Sequence, residues 1–445
     1  MERCIKVAIA GLGSRGYDVY GRAIKAHPDK MRIVAVADPD PEKRKKAQEE
    51  YGLSEQQCFS DCEELLKAPK LADVLVIATL DKDHVSHGVP ALEKGYDLLL
   101  EKPIAPSKEA CDRLLDTARA YNRIVMVCHV LRYTPVYRKA REILRSGEIG
   151  KIVAITATEN IGWFHYTHSF VRGTWAREEE TSPIILQKCC HDMDLYLWLA
   201  DKRCKKISSF GGLYLFSREQ APRGAAKRCL QGCAAKEDCI FDAEKIYLRH
   251  RLMGYGNKNR RWPLDGAVSP EDPKGSIRRL LEEGRYGRCV YACDNTVPDH
   301  QVVQMEMEDG STFNFTMCGH TSDISRAAKF MGTKGEMILR LNPDDVEACE
   351  ITVRIFGLEE RSYSVRIREL AQDFSGHSGG ESRMLQEFFD VISGKDREKD
   401  GTTLLEQSME SHYCALAAEE SRKRGGAVIG MEEFRSRRRE PFQAV

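Results

Sequence analysis

Residues 5–16 read Ile5-Lys6-Val7-Ala8-Ile9-Ala10-Gly11-Leu12-Gly13-Ser14-Arg15-Gly16, a short β-rich run that breaks into G-x-G-x-x-G. A helix-compatible stretch follows, to about Ala26. Strand, glycine turn and helix in that order form the dinucleotide fingerprint. The first glycine permits the tight turn, the second lets backbone approach a pyrophosphate, and the third lets helix and strand pack closely. The helix N-terminus favours the anion. Gly11, Gly13, Ser14, Arg15 and Gly16 are therefore candidate cofactor contacts. A glycine turn alone is weak, but the next strand strengthens it. Met31-Arg32-Ile33-Val34-Ala35-Val36-Ala37 ends in Asp38, about 20 residues past the loop, where a carboxylate accepts hydrogen bonds from the adenosine ribose hydroxyls. An acid there repels a 2′-phosphate, so NAD is preferred over NADP. Lys43 and Arg44 lie nearby and weaken that discrimination.

The alternation continues outward from this unit. Residues 41–51 pattern as a helix, 72–79 as a buried strand, 84–94 as a helix, 97–100 as a strand, 107–121 as a helix and 124–127 as a strand. Such β/α alternation predicts a parallel, doubly wound sheet over residues 1–128. Ligands sit beyond the carboxyl ends of such strands. Thr79, Asp81 and His84 follow one strand end, and Glu101, Lys102 and Pro103 follow the next. Farther on, 302–307 and 312–317 alternate around Asp309-Gly310, a hairpin signal, and 351–356 and 363–367 continue a sheet. Helices are expected at 381–393 and 404–424.

The bulk properties set the frame. A chain of 445 residues is too long for one ordinary core, so two domains are expected. Lys+Arg and Asp+Glu are both 68, a balance that gives no electrostatic case for nucleic acid or an acidic membrane. Arg435, Arg437, Arg438 and Arg439 form a short basic run, taken as a solvated tail. No apolar run is long enough to span a bilayer, and the start of the chain has no secretory pattern, so a cytoplasmic protein is expected. In that compartment the 16 cysteines are thiols or metal ligands rather than a disulfide framework.

At Glu101-Lys102-Pro103 the chain resembles the glucose–fructose oxidoreductase and inositol 2-dehydrogenase family (Gfo/Idh/MocA). The resemblance is carried also by Ala10-Gly11-Leu12-Gly13-Ser14-Arg15-Gly16, Val36-Ala37-Asp38-Pro39 and Ile77-Ala78-Thr79 with His84. Arg132-Tyr133-Thr134-Pro135, Gly147-Glu148-Ile149-Gly150-Lys151-Ile152 and Gly332-Thr333-Lys334-Gly335-Glu336 add to it. It spans nearly the whole chain, with an atypical region at about 213–298. It implies a Rossmann domain followed, over 129–445, by an α+β domain with a large, mainly antiparallel sheet that often makes oligomer contacts. A homo-oligomer, dimer or tetramer, is therefore expected. The implied activity is NAD-dependent oxidation or reduction of a hydroxyl or carbonyl on a sugar, glycoside or polyol. Two rivals accompany it: a redox-assisted glycosidase with tightly held NAD, and a non-catalytic NAD-binding sensor.

Hydride transfer from an alcohol needs a base for the hydroxyl proton and donors for the alkoxide-like oxygen. Lys102, beyond a sheet strand, is the first candidate. The second is the helix-opening segment Gln187-Lys188-Cys189-Cys190-His191-Asp192-Met193-Asp194. Helical spacing brings Lys188 towards His191 and Asp192, and histidine is the natural shuttle near neutral pH. The resembled family carries an acid four residues before this histidine; here that position is Gln187, so Lys188, Asp192 or Asp194 is expected to substitute. Thr79, His84, Glu101 and Lys102 are expected at the cofactor, and Arg132, Tyr133, Trp163 and His165 at the substrate. Asp299, His300 and His320 are weaker candidates.

Cys229, Cys233 and Cys239 fall in one short loop, and Cys289 and Cys293 form a second pair. Thiolates at such spacing suit a structural zinc with Cys293 as the provisional fourth ligand, Cys289, Cys190 or a histidine being open alternatives, and an iron–sulfur cluster is the lesser reading. The stretch 254–287, with Lys258-Asn259-Arg260-Arg261-Trp262-Pro263, is expected to be an extended loop over the substrate side or an oligomer contact.

Overall fold

The structure is a computed structural model that describes residues 4–251, 253–255, 272–342, 345–357, 361–370, 379–395 and 400–437. The Lys258–Pro263 run and Arg438 and Arg439 lie outside the described residues.

Six strands make the first sheet: β1 (Ile5–Ala10), β2 (Met31–Ala37), β3 (Cys58–Phe59), β4 (Val74–Ile77), β5 (Asp97–Leu100) and β6 (Val125–Val127). Their order is β3-β2-β1-β4-β5-β6, and every pairing is parallel. All four residues of β4 are buried, which is why the strand is an unbroken apolar run: a parallel sheet is covered on both faces. The helix Pro41–Tyr51 shows the local logic. Asp40 caps it by accepting from the Glu42 N–H, proline sits in the first turn, and Gly52 ends it at φ +65°. The helix expected after the glycine loop departs from the pattern. It runs in wide turns over Ser14–Gly21 before a short α-helical stretch, Arg22–Lys25. Wide turns place residues five apart on one side, and there Arg15 Nη2 donates to Tyr20 Oη at 2.9 Å.

The second sheet has nine strands: β7 (Ile152–Asn160), β8 (Cys204–Gly212), β9 (His300–Met307), β10 (Thr312–Cys318), β11 (Ser325–Gly332), β12 (Gly335–Leu341), β13 (Glu350–Ile355), β14 (Arg361–Arg366) and β15 (Ile429–Gly430). The order is β14-β13-β12-β11-β7-β10-β9-β8-β15. Only β7 and β10 pair in parallel; the other pairings are antiparallel. The predicted hairpin joins β9 to β10, with Gly310 at φ +85°. Alternate residues Phe313, Phe315 and Met317 point into the main core with Leu195, Leu199 and Ala415, so one sheet face is covered by the helices Cys190–Ala200 and Leu405–Lys423.

The chain then returns to the first sheet. Met384, Leu385, Phe388 and Phe389 pack with Ile9 and Val76 on one face, and Leu405 and Met409 with Leu75 and Leu98 on the other. Thr403 O accepts from the Val127 N–H at 2.8 Å. This return brings His412 to the carboxyl edge of the sheet. Among the described residues no helix is long and apolar enough to cross a membrane.

Candidate active site

The glycine loop leaves β1 with Gly11 at φ +90°. A Cβ there would drive into the Ala78 carbonyl, whereas one on Gly13 would meet nothing within 4 Å. The loop is therefore tight against β4 and open outward above Gly13, the space an approaching pyrophosphate needs. Asp38 is buried; its Oδ2 accepts from the Leu12 N–H at 2.7 Å and its Oδ1 from the Asp40 N–H at 2.9 Å. The carboxylate so braces the loop from the end of β2. Arg44 Nη1 donates to the Asp38 carbonyl at 2.6 Å, and Lys43 Nζ stands 3.9 Å from Asp38. Loop, acid and open space fit a dinucleotide.

Arg15 turns inward. Its Nε donates to Glu101 at 2.8 Å and its Nη1 to Glu381 at 3.3 Å. Glu101 also accepts from Tyr20 Oη, and from the Lys102 N–H at 3.0 Å. Burial would raise the Glu101 pKa, but Arg15 and Lys102, with the hydrogen bonds of Tyr20 and Arg15, hold it below the usual carboxylate value. An ionised Glu101 thus ties the glycine loop to the turn carrying Lys102. Ser14 is exposed.

The turn is held from three more sides. Lys102–Pro103 is a cis peptide. Buried His84 bridges strand ends, with Nδ1 2.7 Å from Pro103 O and Nε2 3.3 Å from Thr79 O. Thr79 Oγ1 lies 3.1 Å from His87 Nδ1, and His87 Nε2 lies 3.1 Å from Glu63. His412 accepts the Ile104 N–H on Nε2 at 2.9 Å and sets Nδ1 2.9 Å from Ser408 O. Lys102, half-buried, donates from Nζ to the Gln187 carbonyl oxygen at 2.8 Å. That bond brings the sheet edge to the segment before His191.

Around His191 the expected partnerships are rearranged. Asp192 is gripped by Arg326, whose Nε and Nη2 are 2.8 and 3.4 Å away. Asp194 takes a bidentate pair from Arg132 at 2.6 and 2.5 Å. Lys188 pairs with the fully buried Glu159 at 3.1 Å, which Arg326 also approaches at 2.9 Å. Thus Lys188, Asp192 and Asp194, the residues expected to substitute for the acid at position 187, are each paired with another charge. The reason is burial: every residue of the helix Cys190–Ala200 is buried, so each side chain meets a different neighbouring element rather than its helical neighbours. Burial raises the Asp194 pKa, opposed by Arg132. The Cys190 thiol is pushed up to about 12 by burial, against the pull of Lys102, so it is protonated and no nucleophile.

The expected substrate residues divide. Arg132 and Tyr133 belong to the core, correcting their placement in the cleft: Arg132 is held by Asp194, and the Tyr133 hydroxyl meets Thr403 Oγ1 at 3.0 Å. Trp163 packs edge-on against Phe164 and His250 at 5.8 and 5.5 Å, so its ring is engaged by protein. His165 is half-buried, and burial and then Lys188 hold its pKa well below the ordinary histidine value. Asp299 knits backbone together, accepting from the Tyr214 and Leu215 N–H groups at 2.9 Å each, and it flanks His300 and His320.

Sequence reasoning missed His129 and His412. His129 is buried between His191 and His412, with ring centroids 5.7 and 5.3 Å away. No local spacing signals either residue: His129 lies 62 positions before His191 and His412 lies 221 positions after it.

The metal reading is also corrected. All sixteen cysteines are free thiols. Cys229, Cys233, Cys239 and Cys289 line one small cavity, while Cys293 instead donates to the Cys289 carbonyl at 3.3 Å. Among the described residues no group of three or more His, Cys, Asp or Glu is arranged to hold a metal ion, so the expected zinc is not supported. The cavity contains the buried guanidinium of Arg172, whose Nη2 donates to Cys229 Sγ at 3.7 Å and Phe241 O at 2.7 Å. A fixed cation there opposes a second one.

Comparison with known proteins adds the following. Residues 5–129 match the model of the GFO_IDH_MocA oxidoreductase family, NAD-binding Rossmann fold. Residues 137–221 match the GFO/IDH/MocA C-terminal domain. The chain is 22% identical over 410 residues to the putative oxidoreductase YteT of Bacillus subtilis, covering 88% of this chain and 89% of that one. It is 27% identical over 209 residues to an inositol 2-dehydrogenase of Corynebacterium glutamicum, covering 46% of this chain and 57% of that relative, little more than half its length. Among solved structures, the super-repressor mutant of Gal80p from Saccharomyces cerevisiae superposes with a TM-score of 0.67 at 15% identity, over 97% of this chain and 99% of that one.

Proposed function

We propose that this chain, a member of the Gfo/Idh/MocA oxidoreductase family, moves a hydride between NAD and a hydroxyl-bearing or carbonyl carbon of a sugar, glycoside or polyol. The observation that carries the reading is Lys102 Nζ, fixed at the carboxyl edge of the dinucleotide-binding sheet and donating to Gln187 O at 2.8 Å. That bond points the ammonium at the segment that delivers His191. NAD, when bound over the glycine loop, supplies the hydride acceptor or donor. Gly11 and Gly16 keep the loop tight, Gly13 leaves room, and Asp38 braces the loop and favours NAD over its 2′-phosphorylated form.

The chain's own chemistry is proton handling. Lys102 donates hydrogen bonds to the reacting oxygen and lowers the cost of its negative charge. His191 takes or returns the hydroxyl proton. The inward Arg15, Glu101, His84 and His412 hold the lysine turn.

The test is incubation of the purified protein with NAD and a panel of inositols, sugars and glycosides, following NADH absorbance and release of any aglycone. Net NADH with a polyol or sugar supports the reading. Aglycone release without NADH accumulation identifies the redox-neutral glycosidase. No turnover and no deuterium exchange from labelled NADH, despite NAD binding, reduces the chain to a cofactor-binding protein. Lys102→Met should bind NAD and lose turnover; full turnover in that variant would remove the lysine from the mechanism.

A further inference from the structure

His129 is a buried imidazole for which the described residues supply no hydrogen bond, at either Nδ1 or Nε2. It follows β6 at the carboxyl edge of the first sheet, one strand over from Lys102. A polar ring wholly removed from water and left unbonded is costly, so such a group calls for a hydrogen-bond partner that this arrangement of side chains does not yet supply.

The neighbours narrow what that partner serves. His412, 5.3 Å away by ring centroid, already uses both nitrogens on Ile104 N and Ser408 O. Asp194 Oδ1 lies 3.9 Å from His129 Nε2, but both Asp194 oxygens accept from Arg132. Lys102 and Glu101 act on His129 from the end of β5, and Arg132 from the turn that follows His129. The remaining ring is His191, 5.7 Å away and nearly perpendicular at 80°.

We propose that His129 is the positioning residue of His191: one of its ring nitrogens accepts a hydrogen bond from the His191 imidazolium, directly after a small ring rotation or across one water, in the role that a carboxylate at position 187 would otherwise fill. The inference rests on the assignment of His191 as proton shuttle. Its chemistry is consistent with the charges around His129. Burial, then Arg132 and Lys102, hold the His129 pKa well below the ordinary value, against Glu101. The ring therefore stays neutral beside a protonated His191 and keeps a lone pair to offer. A second imidazolium there would repel the first.

The test is the proton affinity of His191 itself, read from histidine Cε1–H exchange by mass spectrometry as a function of pH on the NAD-loaded protein. His129→Phe fills the volume without nitrogens and should lower the His191 midpoint by about one unit, roughly a ten-fold loss of proton affinity. His129→Asn, which can still accept, should recover at least half of that shift, and it stands in if the phenylalanine variant does not fold. A midpoint within about 0.2 unit of wild type in a folded, NAD-binding variant overturns the inference. Failure of the functional reading is separable: it appears as unchanged turnover in His191→Phe, whatever the titration shows.

Discussion

Replacing His412 by leucine should produce a stability deficit that closes as pH falls. Leucine fills much the same space but cannot accept the Ile104 N–H now bonded at 2.9 Å. A buried, orphaned amide costs about 1–3 kcal/mol, so near neutral and above the variant should be less stable by roughly 2 kcal/mol. The histidine carries its own liability. Burial first, then His129, lowers its pKa from 6.5 to about 3, against the opposing pull of Ser408 O and Asp194. With a depressed native pKa, the unfolded chain binds more protons than the native one between those values, so stability rises with pH through this window and is lost as pH falls through it. From about pH 8 to about pH 5 the wild type should lose roughly 2 kcal/mol by this route, at 1.36 kcal/mol per unit below its ordinary pKa. Leucine does not titrate, and His129 affects both proteins alike. The deficit of His412→Leu should therefore shrink to near zero at about pH 5. Urea unfolding followed by tryptophan fluorescence at both pH values measures it, with unchanged m confirming comparable unfolded states. An equal deficit at both pH values would refute the reasoning. Ile104 lies two residues from Lys102, so turnover should fall in the variant even where stability is matched.

Other outcomes follow from the same geometry. Arg132→Met strips the buried Asp194 of its bidentate partner and should cost about 3–5 kcal/mol, while the double change with Asp194→Leu should cost less, as thermal unfolding would show. Asp38→Ala frees the Leu12 N–H and removes the acid that repels a 2′-phosphate. Fluorescence titration should show NAD affinity falling about ten-fold and the NADP-to-NAD affinity ratio rising. Gly11→Ala places a Cβ against the Ala78 carbonyl at φ +90°; loss of NAD binding is expected, with about 1–3 kcal/mol of destabilisation by calorimetry.

The first sheet was legible because its signals are local. Buried parallel strands are apolar runs, and Val74–Ile77 shows this with four buried residues in succession. Gly11 and Gly16 sit where close backbone packing demands them, and Gly13 sits where a ligand needs the space. The β9–β10 hairpin could be placed from Asp309-Gly310 and the alternation about it. Less legible was the path from Ser14 to Gly21, since its wide turns answer to Glu101 and Tyr20, contacts that helical periodicity does not encode.

The site itself shows where one-dimensional spacing stops. Lys102 could be located because it follows a strand end, and strand ends define the ligand edge of an α/β sheet. The partners of His191 could not, because residues three and four apart share a face only if the helix has a free face. The helix Cys190–Ala200 has none. Asp192 therefore meets Arg326 from β11, and Asp194 meets Arg132 from the turn after β6. Lys102 takes the backbone carbonyl of Gln187, a contact that does not depend on which side chain stands there. A polar partner for His191 can then come from any element packed against the helix. The histidines that surround the lysine turn, His84, His129 and His412, come from three separate segments of the chain. Each stands alone in sequence and has meaning only where the last long helix closes back over the first sheet.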